Sequence, residues 1–95
     1  MTLKYTCKLC KRIVPEITEH HLIPKEKGGK YYPTTMLCKM CHNQIHALYS
    51  NKELAARLFS IERLKNDKSI KKYLNFIKDM PGDAIIPIKK SKKRR

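Results

Sequence analysis

The sequence predicts a small α+β domain that is stapled by zinc, and three observations carry this prediction. The chain has 95 residues, a length at which a hydrophobic core alone gives modest stability and a staple is expected. Its four cysteines stand in two Cys-x-x-Cys pairs, Cys7 with Cys10 and Cys38 with Cys41. Short β-rich segments lie between the two pairs, whereas helical periodicity dominates after the second pair.

The elements around the cysteine pairs follow from local composition. Residues 1–15 are expected to form a zinc knuckle, in which the first pair turns tightly. Residues 17–23 are rich in β-branched and apolar residues, so they predict a strand. Gly28-Gly29 marks a sharp reversal in a loop, and residues 31–37 predict a second extended segment. A helix is then expected to begin at the second cysteine pair.

The second half of the chain is predicted to be helical. Ser50 and Glu53 have the spacing of a capping box, which predicts a helix from residue 52 to residue 63 or 64. A further helix is predicted over residues 68–79, and Pro81 with the following glycine ends it.

Positive charge dominates the composition. Lysine and arginine number 22 against 8 acidic residues, which gives a formal net charge of +14. Such an excess favours a polyanionic partner, most simply nucleic acid. No strongly apolar helix face accompanies the basic runs, so a membrane surface is disfavoured. The predicted phosphate contacts are the lysines of the central loop and the basic residues of the tail: Lys25, Lys27, Lys30, Lys89, Lys90, Lys92, Lys93, Arg94 and Arg95.

These patterns divide the chain into three parts. We expect residues 1–50 to form a zinc-bound core, residues 51–82 a helical extension packed on it, and residues 83–95 a basic tail that is disordered when unbound. No signal peptide or segment of membrane-spanning length is visible, so a cytoplasmic location with reduced thiols is expected. The paired spacing favours zinc over disulfides as the use of the cysteines.

The four histidines provide a second set of metal ligands. His42 and His46 are four residues apart, which places them on one face of the helix that starts at the cysteines. His20 lies between the same two cysteine anchors, so a cation bound by these three residues would keep open positions. His21 points away from His20 on a strand. It is the candidate general base, because an unperturbed histidine pKa of about 6.5 suits proton transfer near neutral pH.

The order of these motifs resembles an HNH endonuclease of the ββα-metal type. The resemblance rests on the Glu-His-His-Leu-Ile-Pro run of residues 19–24, on the double glycine, and on the Cys-His step within residues 37–46, and it covers residues 7–49. It implies a strand–strand–helix core and metal-dependent hydrolysis of DNA phosphodiester bonds, by nicking or by double-strand cleavage.

The resemblance also implies a role for each histidine. By position, His20 binds the catalytic divalent ion, His21 is the general base, and His42 and His46 supply the remaining protein ligands. The family commonly uses magnesium or manganese. Three imidazoles would also accept nickel, cobalt or zinc. In this interpretation the four cysteines bind a structural zinc, although His42 could replace one of them as a ligand.

One departure from the family pattern concerns the residue that orients the base. The family has an asparagine shortly before the second cysteine pair, and residues 32–36 contain none. Thr34, or a backbone carbonyl near it, is the candidate replacement. Glu19 is expected either to orient a ligand imidazole or to be an exposed strand residue.

A noncatalytic zinc module that binds nucleic acid is the alternative function. It explains the charge and the cysteines but leaves the four histidines without a role. The partner is expected to be DNA, with RNA as an alternative, and no small-molecule substrate is expected. The sequence leaves open a homodimer or larger complex, the sequence specificity and the biological role.

Overall fold

The computed structural model describes residues 4–82 and residue 84. The α+β prediction is confirmed, because these residues form two small antiparallel sheets and four α-helices. The six basic residues of the tail, predicted as phosphate contacts, lie outside the described residues. In the described part, no helix combines the length and the apolar composition that a membrane span would need.

A short hairpin carries the first cysteine pair. Strands β1 (Tyr5–Thr6) and β2 (Ile13–Val14) pair antiparallel, with Thr6 opposite Ile13. The turn between them is closed by backbone hydrogen bonds from Lys11 N to Cys7 O and from Cys7 N to Arg12 O, both 3.0 Å long. This turn is the knuckle that the sequence predicts.

The second sheet positions His20 and His21. Strands β3 (Thr18–His21) and β4 (Thr34–Leu37) pair antiparallel, and the register places His20 opposite Thr35. Because successive side chains on a strand alternate in direction, His20 faces the core and is fully buried, whereas His21 is half-buried on the other face. Both strands are shorter than the extended segments predicted from the sequence.

Two 3-10 turns, Lys25–Lys27 and Gly29–Tyr31, connect β3 to β4. Gly28 joins them with a φ of 89°, a left-handed conformation that glycine adopts without strain. A Cβ on Gly29 would lie 1.7 Å from the carbonyl oxygen of Ile23, so only glycine fits this close approach. The double glycine therefore folds the connection back onto the end of β3.

Helix α1 (Lys39–Leu48) follows β4 directly and completes a strand–strand–helix unit. Its first turn is capped by the thiol of Cys38, which accepts a hydrogen bond from the backbone N–H of Cys41 at 3.4 Å. Ile45 faces inward and is fully buried. The second cysteine pair thus both caps the helix and fixes where it starts.

Three further helices follow, where the sequence predicted two. They are α2 (Asn51–Arg57), α3 (Ile61–Asn66) and α4 (Lys68–Ile77). The capping box of Ser50 is present. The prediction of one helix through residues 52–64 is wrong, because the chain leaves the helical conformation at Leu58 and Ser60 caps a new helix by accepting from Arg63 N at 3.1 Å.

Buried side chains from both halves of the chain form one hydrophobic cluster. Leu37 and Ile45 of the strand–strand–helix unit and Leu54, Leu64 and Ile77 of the later helices are all fully buried in it. The boundary predicted at residue 50 stays a prediction. The shared core means that the later helices support the same structure that positions the cysteines and histidines.

Candidate metal centres

The four cysteines meet at one point. Their sulfur atoms all lie within 4.8 Å of one another, and the sulfurs of Cys10 and Cys38 are 4.0 Å apart. Tetrahedral zinc with Zn–S bonds of about 2.3 Å requires sulfur–sulfur distances of about 3.8 Å. All four are free thiols rather than disulfides. The donor set is therefore compatible with a structural zinc, as the spacing predicted.

The four thiols influence one another's ionisation. Hydrogen bonds from Cys38 and Cys41 lower the pKa of the Cys10 thiol. The same contacts raise the pKa values of Cys38 and Cys41, with the bond to Cys10 as the main cause. Four thiolates at this spacing repel one another, so they require a compensating positive charge such as Zn²⁺.

Arg12 supplies part of that positive charge, and sequence reasoning did not single it out. Its Nε lies 3.3 Å from the sulfur of Cys10, and its Nη2 lies 3.8 Å from that of Cys38. The remaining nitrogen, Nη1, donates to the carbonyl of Pro81 at 2.9 Å. Arg12 therefore links the thiolates to the segment that follows α4.

A second link comes from Tyr73, whose hydroxyl donates to the sulfur of Cys41 at 3.4 Å. Tyr73 lies on α4 and is 9% exposed. Its helix position gave no signal in the sequence, because a tyrosine on the apolar face of a helix is usually explained by packing alone. In this fold its polar end reaches the cysteine cluster.

Three histidines form the second cluster. The ring centroids are 5.1 Å apart for His20 and His42, 5.3 Å for His20 and His46, and 5.0 Å for His42 and His46. One ligand nitrogen from each lies within 4.8 Å of the others. The structure thus brings β3 and α1 together where the sequence placed a cation. His42 joins this cluster rather than the four cysteines.

His20 provides the observation that tests whether a metal fits. Its side chain is fully buried, and neither ring nitrogen has a hydrogen-bond partner among the described residues. Leaving a buried polar group unsatisfied costs about 1–3 kcal/mol. A metal ion bound to an imidazole nitrogen satisfies such a group, so the three residues fit a bound cation.

Burial keeps two of the three imidazoles, His20 and His42, neutral. Burial is the main cause, and His46, His42 and His21 contribute, so that the pKa of His20 is lowered to about 3. Burial likewise lowers the pKa of His42, with a contribution from His21. A neutral imidazole has a free lone pair, which is the form that binds a metal.

Thr18 orients His42, and this contact was not predicted. The Thr18 hydroxyl donates to the carbonyl of Leu37 at 3.0 Å and lies 2.8 Å from Nδ1 of His42. A hydroxyl has one hydrogen, so with that hydrogen on Leu37 it accepts from the Nδ1–H of His42. The lone pair of His42 then resides on Nε2. The alternation of β3 could have revealed Thr18, because it shares a face with His20.

Thr34, the candidate to orient His21, and Glu19, the candidate to orient a ligand imidazole, contact each other. Thr34 lies opposite His21 in the strand register, but its hydroxyl donates to the carboxylate of Glu19 at 3.1 Å. That hydrogen is therefore not given to the imidazole of His21. Glu19 is exposed, which favours the interpretation of an exposed strand residue over one that orients a ligand.

A cleft of about 480 Å³ opens beside the histidine cluster. It is lined by Glu26, Lys27, His46, Tyr49, Ser50, Asn51 and Lys52. His46 belongs to both the cluster and the cleft, so the cleft gives access from solvent to this one imidazole of the cluster. The three lysines of the connecting turns, Lys25, Lys27 and Lys30, are exposed, and Lys27 faces the cleft.

Comparisons with known proteins agree with this geometry. A family model described as HNH endonuclease matches residues 7–53. The chain is also 47% identical over 89 residues to the uncharacterized protein YisB of Bacillus subtilis (strain 168), an alignment that covers 94% of this chain and 89% of the relative. The chain belongs to the HNH endonuclease family. No solved structure matches it significantly.

In this HNH family member, the matched segment contains both clusters. It begins at Cys7 and includes both cysteine pairs, all four histidines and helix α1. Most of α2 and the two later helices lie beyond the match. Tyr73, which contacts the cysteine cluster from α4, is therefore outside the segment that defines the family.

Proposed function

We propose that this HNH protein is a metal-dependent endonuclease that hydrolyses phosphodiester bonds in DNA. The observation that carries the proposal is the buried His20, whose two ring nitrogens have no partner among the described residues and whose ring meets those of His42 and His46. A noncatalytic binding module has no need for such an arrangement, because it requires charge and a stable fold alone.

The two clusters have different roles in this proposal. Cys7, Cys10, Cys38 and Cys41 would hold a structural zinc, whose four protein ligands leave no open position. The three imidazoles would hold the catalytic divalent ion, magnesium or manganese or a softer metal such as nickel, cobalt or zinc. That ion, when bound, supplies a Lewis acid for a phosphate oxygen and neutralises charge in the transition state.

His21 is the proposed general base. It follows His20 directly on β3 but faces the other side of the strand and is half-buried. Its side chain has no hydrogen bond within the described part of the chain, and it is near enough to lower the pKa values of His20 and His42. An imidazole that is next to the ligands, but is not itself a ligand, can accept the proton of the attacking water.

Lysines beside the imidazoles support nucleic acid as the substrate. Lys27 and Lys52 line the cleft that reaches His46, and Lys25 and Lys30 are exposed on the adjoining turns. These ammonium groups would contact phosphates, which fixes the register of the strand without reading its sequence. The net charge of +14 adds attraction that falls as salt rises.

A plasmid assay with the zinc-loaded protein tests the proposal. With manganese, we expect supercoiled plasmid to be converted to the nicked or linear form. The rate should fall by about 10²- to 10⁴-fold in His21→Ala, since that is the typical contribution of a general base. The variant should retain its circular dichroism spectrum and its gel shift, because His21 contributes no core contact. Nickel and cobalt should also support cleavage, and excess zinc should inhibit it.

Two outcomes would contradict parts of this proposal. A wild-type protein that shifts the plasmid on a gel but leaves it supercoiled with every divalent ion is a binding module. Cleavage supported by magnesium alone would instead oppose the assignment of three imidazole ligands, since magnesium prefers oxygen ligands.

A further inference from the structure

Tyr31 is exposed on a turn that backbone hydrogen bonds hold in place. Its side chain is 90% exposed, more than any other large hydrophobic residue in the described part of the chain. The turn that carries it is held by hydrogen bonds from Gly29 N to Pro24 O and from Tyr32 N to Gly29 O, each 3.1 Å long. Gly29 also packs against Ile23 with no room for a Cβ. The ring is therefore presented to solvent from a rigid support.

Other aromatic and basic side chains surround this turn. The ammonium of Lys30 lies 5.4 Å from the centroid of the Tyr31 ring. Tyr32 meets Phe59 edge to face at 6.5 Å between centroids, and the guanidinium of Arg63 lies 4.4 Å from the Phe59 ring. We call these five residues the aromatic patch. Aromatic rings interleaved with cations are the composition of surfaces that bind single-stranded nucleic acid.

The aromatic patch lies beside the cleft that leads to His46. The connecting turns contact α2 at two places, through the hydrogen bond from Asn51 to Glu26 at the cleft and through Tyr32 with Phe59 beyond the far end of the helix. The seven residues of α2 span about 10 Å. In duplex DNA the phosphates of one strand follow one another at about 3.4 Å along the helix axis, so this length corresponds to about three nucleotides of a paired strand.

We propose that Tyr31 stacks on an unpaired base of the bound strand, so that the preferred substrate has single-stranded or splayed-out DNA next to the cleaved bond. This inference rests on the proposed function, because it places the scissile strand in the cleft. Bases inside an intact duplex are already stacked, and their faces are not accessible to a ring on a protein surface. A single exposed tyrosine is ordinary, whereas an exposed ring on a hydrogen-bonded turn, with an ammonium beside it and further aromatic residues nearby, has the composition of a stacking platform.

A fluorescence titration tests the stacking directly. The chain contains no tryptophan, so Tyr31→Trp introduces one indole as a probe at this position. With zinc-loaded protein and no other divalent ion, we expect a single-stranded oligonucleotide to quench the indole, and a duplex of equal length to quench it much less. In a parallel anisotropy measurement, Tyr31→Ala should bind the single strand about tenfold more weakly, and Tyr31→Phe should bind it like the wild type.

Tyr5 provides the matched control, since it is 44% exposed on β1, in the other sheet. Tyr5→Ala should leave single-strand affinity unchanged. Binding of the single strand without indole quenching, or equal quenching by the duplex, would overturn the stacking proposal while plasmid cleavage still supported the nuclease. If neither oligonucleotide binds and the plasmid is uncut, both proposals fall.

Discussion

His20 is the residue whose surroundings carry the proposal of a catalytic metal site. Its ring is fully buried, and no group among the described residues satisfies either nitrogen. Its position on β3 was predictable from the His-His pair and from strand alternation. Its ionisation was not, because the low pKa arises from burial and from histidines that the fold brings from α1.

The low pKa of His20 predicts acid sensitivity. Its pKa is about 3 in the folded chain against about 6.5 when unfolded, so the unfolded state takes up the proton first as pH falls. The contribution to stability is complete above pH 6.5 and is lost between that pH and pH 3. Urea titrations at pH 7.5 and 5.5, with zinc saturating the cysteines, measure this effect. For each pH unit below 6.5, the free energy of unfolding should fall by about 1.4 kcal/mol more in the wild type than in His20→Gln.

The glutamine variant is the control, because it does not titrate in this range. His42 has a lowered pKa as well, so some acid sensitivity should remain in the variant and in the same direction. If stability depends on pH equally in the two proteins, then His20 has the same pKa in the folded and unfolded chains, and the prediction is wrong.

Thr18 makes a separate prediction about metal affinity. Thr18→Val keeps the shape of the side chain but removes the acceptor for the Nδ1–H of His42. We expect cobalt or manganese binding at the imidazoles to weaken about 10- to 100-fold, the typical effect of losing a partner behind a ligand histidine. Isothermal titration of the zinc-loaded protein measures this change.

Thr18→Ser and Thr35→Val are the comparisons for this test. Serine retains the hydroxyl and should restore most of the affinity. Thr35 lies opposite His20 on β4 and is also buried, yet the structure shows no hydrogen bond from it to a ligand histidine. An equal loss in both valine variants would mean that the effect is one of packing rather than of orientation.

At the scale of elements, the sequence predicted the part of the fold that is built from local signals. The strand before Pro24, the reversal at the double glycine and the start of α1 at Cys38 are confirmed. The break between α2 and α3 was missed because Leu54, Leu58 and Leu64 continue a helical period across it. All three are buried, so tertiary packing rather than periodicity decided where the helix ends.

The break after α2 can be tested through its cap. Ser60→Ala removes the acceptor for the N–H of Arg63, and we expect the free energy of unfolding to fall by about 1 kcal/mol. Ser60→Asp should restore it, since aspartate is an equally good cap. Chemical denaturation of the three proteins measures the difference, and unchanged stability in Ser60→Ala would show that the cap is not needed.

At the scale of the whole molecule, the cysteine cluster joins segments that are far apart in sequence. Arg12 contacts its sulfurs and holds Pro81, Tyr73 reaches Cys41 from α4, and Gly82 packs so closely on Ile13 that a Cβ would lie 1.7 Å from the carbonyl oxygen. The sequence suggested a staple between two cysteine pairs. These contacts extend it to the end of the helical region, which no local pattern could reveal.

Removal of zinc should therefore disrupt more than the knuckle. We expect a strong zinc chelator to abolish most of the helical circular dichroism signal, α4 included, because a structural zinc contributes directly to folding free energy. Zinc should restore the signal and magnesium should not. Persistence of the helical signal with the cysteines metal-free would show that α2 to α4 fold independently of the cluster.

Helix α1 has one further consequence, because Cys41 and His42 are adjacent on it and belong to different clusters. A single stretch of backbone thus contributes to the geometry of both, so we expect occupancy of one cluster to be thermodynamically linked to occupancy of the other. Because such coupling is reciprocal, a cation at the imidazoles would raise the affinity of the cysteines for zinc by the same factor by which zinc raises the affinity of the imidazoles for the cation. We therefore expect oxidation of the thiols to weaken cation binding at the imidazoles, although no histidine is modified.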